Sequence, residues 1–162
     1  MLAFFVLNAF ANPTTTWIGV GVQHQTVASS LGFQRYHSGL NVRRQTRSDN
    51  GFYNQVTVGW TFRRDQIPNG YLITQSIHSD ITRGVHFRPT ELLELGFYGG
   101  ISPSVFIGGL TSNVSRPDLQ LVTETQIRRT TNSGNQLWFS GGYRIGFYGV
   151  SPQVQWGWGR LW

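Results

Sequence analysis

Apolar and polar residues alternate with a period of two along most of the chain, and the pattern is clearest in the last ten residues, 153–162. One face of this stretch carries the apolar side chains Val154, Trp156, Trp158 and Trp162. The opposite face carries glutamines and glycines up to Gly159. A period of two predicts a β-strand, because successive side chains of a strand point to opposite faces. About 10 residues with one apolar face are what a tilted strand needs to cross a bilayer.

Seven further segments show the same alternation and are predicted as β-strands. They cover residues 16–25, 33–45, 52–64, 71–79, 91–101, 119–129 and 137–149. Asn50-Gly51 and Asn69-Gly70 lie between predicted strands, and such pairs favour the tight turns of antiparallel hairpins. The chain is therefore predicted to be all-β and antiparallel.

The predicted number of strands depends on two segments in the middle of the chain. Residues 80–90 are predicted as a loop, and 102–118 as a long loop in which 105–111 is a candidate for a further strand. Two similar segments, 95–105 and 145–154, are each predicted to form a strand, a Ser-Pro turn and a second strand. Bacterial single-chain barrels have an even number of strands, so we predict eight strands, with ten as the alternative.

The composition favours a transmembrane barrel over other classes of all-β protein. Hydrophobic residues make up 39% of the chain, aromatic residues 14% and charged residues 12%, and there are 20 glycines. No run of 18 apolar residues occurs, which excludes a helical membrane protein. A soluble lipocalin-like barrel that binds a small ligand is a further alternative, but it needs a charged outer surface. The sequence predicts one closed transmembrane β-barrel over residues 12–162.

The final strand resembles the C-terminal strand of bacterial outer-membrane β-barrels, which ends in Phe or Trp. Trp162 fits that pattern, whereas Arg160 departs from it, because the family usually has an apolar residue or tyrosine there. The resemblance implies a bacterial outer-membrane protein whose C-terminal strand is bound by the barrel-assembly machinery. Four tryptophans are then expected to lie at the membrane interfaces, namely Trp60, Trp156, Trp158 and Trp162.

The first eleven residues are predicted to be a secretory signal peptide. A short apolar run is followed by Ala9-Phe10-Ala11, a small-x-small cleavage pattern, although no basic residue precedes the run. The alternative is an N-terminal strand or an apolar plug that stays attached.

Charged residues on the inward faces of the predicted strands form a second candidate feature. Glu94 and Glu124 are expected to meet Arg128 or Arg144 inside the barrel. An eight-stranded barrel has room only for interlocking side chains, and buried charges must be paired. These four residues predict a packed lumen, and an ion or proton path through them is the alternative.

Arginines near the strand ends form a candidate rim for lipids or phosphate. All 13 basic residues are arginines, which gives a net charge of +6, and this composition favours lipid headgroups over nucleic acid. The candidate rim residues are Arg43, Arg44, Arg63, Arg64 and Arg129. They either cover apolar surface at the interface or bind the phosphates of membrane lipids, possible ligands including lipopolysaccharide.

Two residues are candidates for catalysis by a membrane-embedded hydrolase of lipid A or phospholipid. Ser76 and His78 lie two residues apart on one predicted strand. Side chains at this spacing are about 7 Å apart, so a partner from another strand would be required. No spacing of His24, His37 and His86 indicates a metal site, and no cofactor is predicted. The preferred function is a structural or surface-interaction role through the loops, chiefly 102–118.

Overall fold

A computed structural model describes residues 16–28, 34–48, 51–68, 70–108, 114–131 and 133–161 of the chain. They form eight antiparallel strands that close into one barrel, with each strand paired to the next and β1 paired to β8. The strands are β1 (Thr16–Ala28), β2 (Gln34–Arg47), β3 (Tyr53–Ile67), β4 (Gly70–Thr90), β5 (Leu93–Gly108), β6 (Val114–Thr130), β7 (Asn135–Gly146) and β8 (Gly149–Leu161). The predicted fold class and the preferred strand number are confirmed.

The described ranges contain no helix that is both long enough and apolar enough to cross a membrane. Residues 1–11 and Trp162 lie outside these ranges, so the predicted signal peptide and the role of the terminal tryptophan stay predictions.

Two predicted loops are wrong. Residues 80–90 belong to β4, which runs without interruption from Gly70 to Thr90. Of the predicted loop 102–118, residues 102–108 belong to β5 and residues 114–118 to β6, while 109–113 lie outside the described ranges. The mixed composition of residues 80–90 and the presence of Pro89 indicated a loop, but Asp80, Thr82 and His86 point into the barrel, where a membrane strand carries polar side chains.

The two predicted Ser-Pro turns are also wrong. Ser102-Pro103 lies within β5 and Ser151-Pro152 lies within β8. The chain turns between β7 and β8 at Phe147 and Tyr148 instead. Gly149 follows with a φ of 123°, a backbone conformation that residues other than glycine rarely adopt.

The distribution of polarity is inverted relative to a soluble barrel. Large apolar side chains such as Val42, Trp60, Phe97 and Leu121 are exposed on the outer face. Glutamine, threonine and charged side chains fill the interior, where Gln23, Gln55 and Thr57 are completely buried. A lipocalin-like barrel would have the opposite arrangement, so that alternative is wrong. An apolar exterior over every strand is the surface that a bilayer requires.

The two ends of the barrel carry different connections. The terminal end, as we name it, carries Thr16 and Leu161 together with the turns from β2 to β3, β4 to β5 and β6 to β7. The distal end carries the other four connections, of which β3 to β4 and β7 to β8 span only two residues each.

The pairing of β4 with β5 is irregular at two places: its register shifts between Phe87 and Thr90, and it is interrupted near Pro103. The register pairs His78 with Ser104 and Ile81 with Ile101, but it leaves out the two intervening residues on each strand. Pro103 is one of these residues, and proline has no N–H to donate to a neighbouring strand. Inside the barrel, Ser102 Oγ donates a hydrogen bond of 2.6 Å to Asp80 Oδ1 across this gap.

Candidate functional site

Three layers of charged side chains fill the interior of the barrel. Nearest the terminal end, the carboxylate of Glu94 lies 2.7 Å from His86 Nδ1, 3.2 Å from Arg88 Nε and 3.4 Å from Arg128 Nη1. The guanidinium of Arg128 also stacks over the ring of Trp17 at 4.4 Å. An aromatic face and a carboxylate together compensate the buried cation.

The middle layer is a bidentate ion pair between β2 and β6. Arg43 Nη1 and Nη2 donate to the two carboxylate oxygens of Glu124 at 2.5 and 3.2 Å. Arg43 Nη2 also donates to Gln155 Oε1 at 2.8 Å, and Gln55 donates to Glu124 at 3.3 Å. The Arg43 guanidinium lies 4.3 Å from the ring of Trp138. Both charges are excluded from water, so each depends on the other.

The third layer lies toward the distal end. Arg144 Nη2 donates to Asp80 Oδ2 at 2.7 Å, and Arg144 Nη1 donates to Gln25. Ser102 donates to the other oxygen of Asp80, as described above. These contacts join β1, β4, β5 and β7 through the interior.

The structure places the four predicted lumen residues as follows. Glu94 and Arg128 contact each other, but Glu124 contacts Arg43 and Arg144 contacts Asp80. The assignment of Arg43 to the lipid rim is therefore wrong, since its side chain is fully buried against Glu124. Asp80 is not among the predicted lumen residues, because residues 80–90 were predicted to be a loop. The alternation of Asp80, Thr82 and Gly84 with apolar and exposed neighbours was the signal that could have identified it.

The other predicted rim arginines lie at opposite ends of the barrel. Arg129 is exposed at the end of β6 near the terminal end, and the half-buried Arg44 lies on the outer face of β2, paired with Val56. Arg63 and Arg64 lie at the distal end of β3, where Arg63 Nε is 2.5 Å from Asp65 Oδ1. These residues do not form one rim.

Three of the four predicted interface tryptophans lie on the outer face. Trp60, Trp156 and Trp158 are each more than 40% exposed on the protein surface, and Trp60 Nε1 donates to Gln75 at 3.0 Å. The fourth, Trp162, lies outside the described residues. Two further tryptophans, Trp17 and Trp138, are buried in the lumen with their rings edge to face at 6.3 Å.

The predicted catalytic pair does not face the bilayer. Ser76 and His78 both point into the lumen and are buried, and His78 Nε2 is 3.2 Å from Gln23 Nε2. A lipid cannot reach them through the closed wall, so Ser76 and His78 are wrong as lipid-hydrolysing residues. A different pair, His24 and Ser38, is hydrogen-bonded on the outer face at 2.7 Å. In the part of the chain described, no three histidine or carboxylate side chains come together as a metal site would require.

A polar cavity of about 160 Å³ opens at the distal end above the third layer. Arg144 lies at its base, and Arg116 and Asp118 line its wall with the aromatic rings of Phe106 and Tyr148. Serine hydroxyls and glutamine amides complete the lining. The cavity thus combines cationic, hydrogen-bonding and aromatic groups, which are the groups that bind polar ligands.

Two polar groups are already oriented in this cavity. The carboxylate of Asp118 accepts hydrogen bonds from Gln120 Nε2 at 2.9 Å and from the backbone N–H of Phe147 at 3.3 Å. Arg144 is buried, and its Nε has no hydrogen-bond partner among the described residues. The Nε atoms of Arg43 and Arg128 are unpaired in the same way, and all three are closed to solvent, so Arg144 bounds the cavity without offering this donor to it.

The barrel as a whole is similar to solved structures of bacterial membrane and surface proteins. Ail of Yersinia pestis in complex with the heparin analogue sucrose octasulfate matches with a TM-score of 0.70 and 15% identity, over 91% of this chain and 98% of Ail. Neisserial surface protein A matches with a TM-score of 0.68 and 13% identity, over 90% of this chain and 95% of that protein. OprG of Pseudomonas aeruginosa matches with a TM-score of 0.61 and 7% identity, over 91% and 95%.

These similarities confirm the predicted class-level resemblance to small outer-membrane barrels. Ail and OprG are outer membrane proteins, the localisation predicted from the sequence. At these identities the similarity concerns the fold. No known protein family matches the sequence, and no curated protein matches it.

Proposed function

We propose that the chain spans the bacterial outer membrane as a closed barrel and binds an anionic saccharide at its distal end. The observation that carries this proposal is the polar cavity of about 160 Å³ above Arg144. Small barrels serve many functions, so the ligand has to be argued from this cavity and not from the fold.

The filled interior favours a role at the barrel surface over transport. Three layers of buried ion pairs occupy the lumen below the cavity, and a solute could pass only by breaking them. Two of the distal connections span two residues each, and the segment 102–118 is mostly strand. The mouth of the barrel is therefore a better candidate for the binding surface than the loops predicted from the sequence.

The lining of the cavity favours a ligand with both hydroxyl and anionic groups. Arg116 offers N–H donors to a sulfate, phosphate or carboxylate, and the buried Arg144 bounds the cavity at its base. Phe106 and Tyr148 offer apolar surface to a sugar ring, and Asp118 offers an acceptor to its hydroxyls. The complex of Ail with a sulfated heparin analogue supports this ligand class for a barrel of the same fold.

Two sources could supply such a saccharide, namely lipopolysaccharide in the same membrane and sulfated glycans outside the cell. Calorimetric titration of the refolded barrel in detergent should be carried out with lipopolysaccharide, sucrose octasulfate and uncharged sucrose. Binding of the first or the second identifies the source, and sucrose should bind neither the wild type nor any variant.

Arg116→Gln tests the site directly. We expect the Kd for the anionic saccharide to rise about 10-fold, because one charge-assisted hydrogen bond contributes about 1.5 kcal/mol. Arg129→Gln is the matched control, since Arg129 is exposed at the opposite end of the barrel. Equal losses of affinity in both variants, or no binding of either anionic saccharide, would contradict the proposal.

The pairing of the last strand with the first strand is relevant to how the barrel is assembled. The C-terminal strand β8 pairs with β1 from Gln153 to Leu161 and so completes the barrel. We propose that this strand is bound by the barrel-assembly machinery before closure, as its resemblance to other C-terminal strands implies.

A further inference from the structure

A serine and a histidine are hydrogen-bonded to each other on the lipid-facing surface. His24 of β1 and Ser38 of β2 are direct cross-strand partners in the register. Ser38 Oγ lies 2.7 Å from His24 Nδ1, and Ser38 is exposed on the outer face. This distance is within the range that activates a serine by an adjacent base.

The histidine ring is held in place by a neighbouring strand. His24 is paired with Val154 of β8, and its ring stacks on that of Trp156, with the ring centres 5.0 Å apart and an angle of 23° between the planes. The stacking restricts the plane of the ring, and the hydrogen bond to Ser38 fixes Nδ1 on the side of β2. A base that is oriented by a third group is the arrangement required for general-base catalysis.

The surroundings of the pair are apolar. On β2, Ser38 lies between Tyr36 and Leu40, which are 74% and 63% exposed on the same outer face. His24 is an ionisable side chain on this surface, and ionisable residues within a membrane commonly serve a function. The hydrogen bond between His24 and Ser38 reduces the cost of burying them in lipid but does not explain why valines do not occupy both positions.

We propose that Ser38 and His24 form a nucleophile and general base that cleave an acyl ester of a membrane lipid. Ser38 Oγ attacks the ester carbonyl carbon while His24 Nδ1 takes the hydroxyl proton. The C–O bond to the alcohol then breaks, and the imidazolium returns the proton to the leaving alkoxide. His24 then takes a proton from water, the hydroxide attacks the acyl-serine carbonyl, and the bond to Ser38 Oγ breaks. The imidazolium returns the proton to Ser38 Oγ, which releases the fatty acid and regenerates both residues.

The position of the pair identifies the class of substrate. Ser38 and His24 face the bilayer, so the substrate has to reach them laterally from the membrane and not through the lumen. The exposed side chains of Tyr36, Leu40 and Trp156 offer apolar surface on which an acyl chain can pack. This activity is independent of the distal cavity, which lies inside the barrel.

The pair can be tested on the intact chain refolded in detergent micelles. A fluorophosphonate probe should form an adduct that mass spectrometry locates on Ser38, and the protein should release p-nitrophenol from p-nitrophenyl palmitate. Ser38→Ala removes the nucleophile. His24→Phe removes the base while retaining a ring that can stack on Trp156. Ser79→Ala is the matched control, because Ser79 lies on the outward face of β4 opposite Val58.

We expect Ser38→Ala and His24→Phe to lower ester hydrolysis about 100-fold, as is typical when a general base is lost, and Ser79→Ala to leave it unchanged. Faster migration of unboiled samples on a gel shows that each variant is folded. The adduct on wild-type Ser38 is an independent measurement if a variant does not fold. Absence of the adduct in the folded wild type, or wild-type hydrolysis by folded Ser38→Ala, would overturn the proposal.

Discussion

Replacing Glu124 with leucine should destabilise the barrel far more than breaking an ion pair at the surface. The side chains of Arg43 and Glu124 are 0% and 1% exposed, so Glu124→Leu leaves a guanidinium in the lumen without its counterion. Arg43 would keep its hydrogen bonds to Gln155 at 2.8 Å and Ser140 at 3.5 Å and its contact with the ring of Trp138, but it would have no counterion. Removing one partner of a buried pair costs about 3–5 kcal/mol.

The pair between Arg63 and Asp65 provides the matched comparison. Its N–O distance is also 2.5 Å, but its side chains are 34% and 21% exposed. Water and salt screen such a pair, so Asp65→Asn should cost less than about 1 kcal/mol. The two substitutions therefore differ in burial at the same contact distance.

The assay is reversible urea unfolding in lipid vesicles, followed by tryptophan fluorescence and by migration of unboiled samples on a gel. The double variant Arg43→Met, Glu124→Leu removes both charges, and it should be at least as stable as Glu124→Leu alone. A loss below about 1 kcal/mol for Glu124→Leu, or strictly additive effects of the two substitutions, would refute the argument that the two charges depend on each other.

Two further predictions follow from the filled lumen and from close backbone contacts. In planar bilayers the purified protein should form no large stable pore, because side chains of three charged layers occupy the lumen. Conductance steps as large as those of a porin would contradict this prediction. Gly157→Val should prevent formation of the heat-modifiable barrel, because a Cβ there would lie 2.1 Å from the carbonyl oxygen of Val20. Gly141→Ala is its control, because a Cβ there meets only the carbonyl oxygen of Gln153 at 3.9 Å, and the prediction fails if the two variants fold equally well.

The alternation of residues was sufficient to predict the closed barrel, because a membrane strand has to be apolar on its outer face. It was not sufficient for residues 80–90, in which Asp80, Arg83 and His86 interrupt the apolar pattern. Of these, Asp80 and His86 have their charged partners, Arg144 and Glu94, on other strands. The local sequence alone therefore favoured a loop.

The sequence predicted that buried charges pair inside the barrel, but it did not predict which residues form each pair. Arg43 and Glu124 are 81 residues apart, and they meet because the strand register brings β2 and β6 to the same level across the lumen. The sequence contains the charges but not that register. The same holds for His24 and Ser38, which become neighbours only through the pairing of β1 with β2.

The interruption at Pro103 has a consequence for the order of assembly. Backbone hydrogen bonds do not join β4 and β5 at this point. The side-chain hydrogen bond from Ser102 to Asp80 links the two strands there instead. Asp80 is held in turn by Arg144, which the chain supplies 64 residues later on β7. The link between β4 and β5 at Pro103 thus gains its last contact only after β7 has been added, so closing the barrel also stabilises a hairpin that formed much earlier.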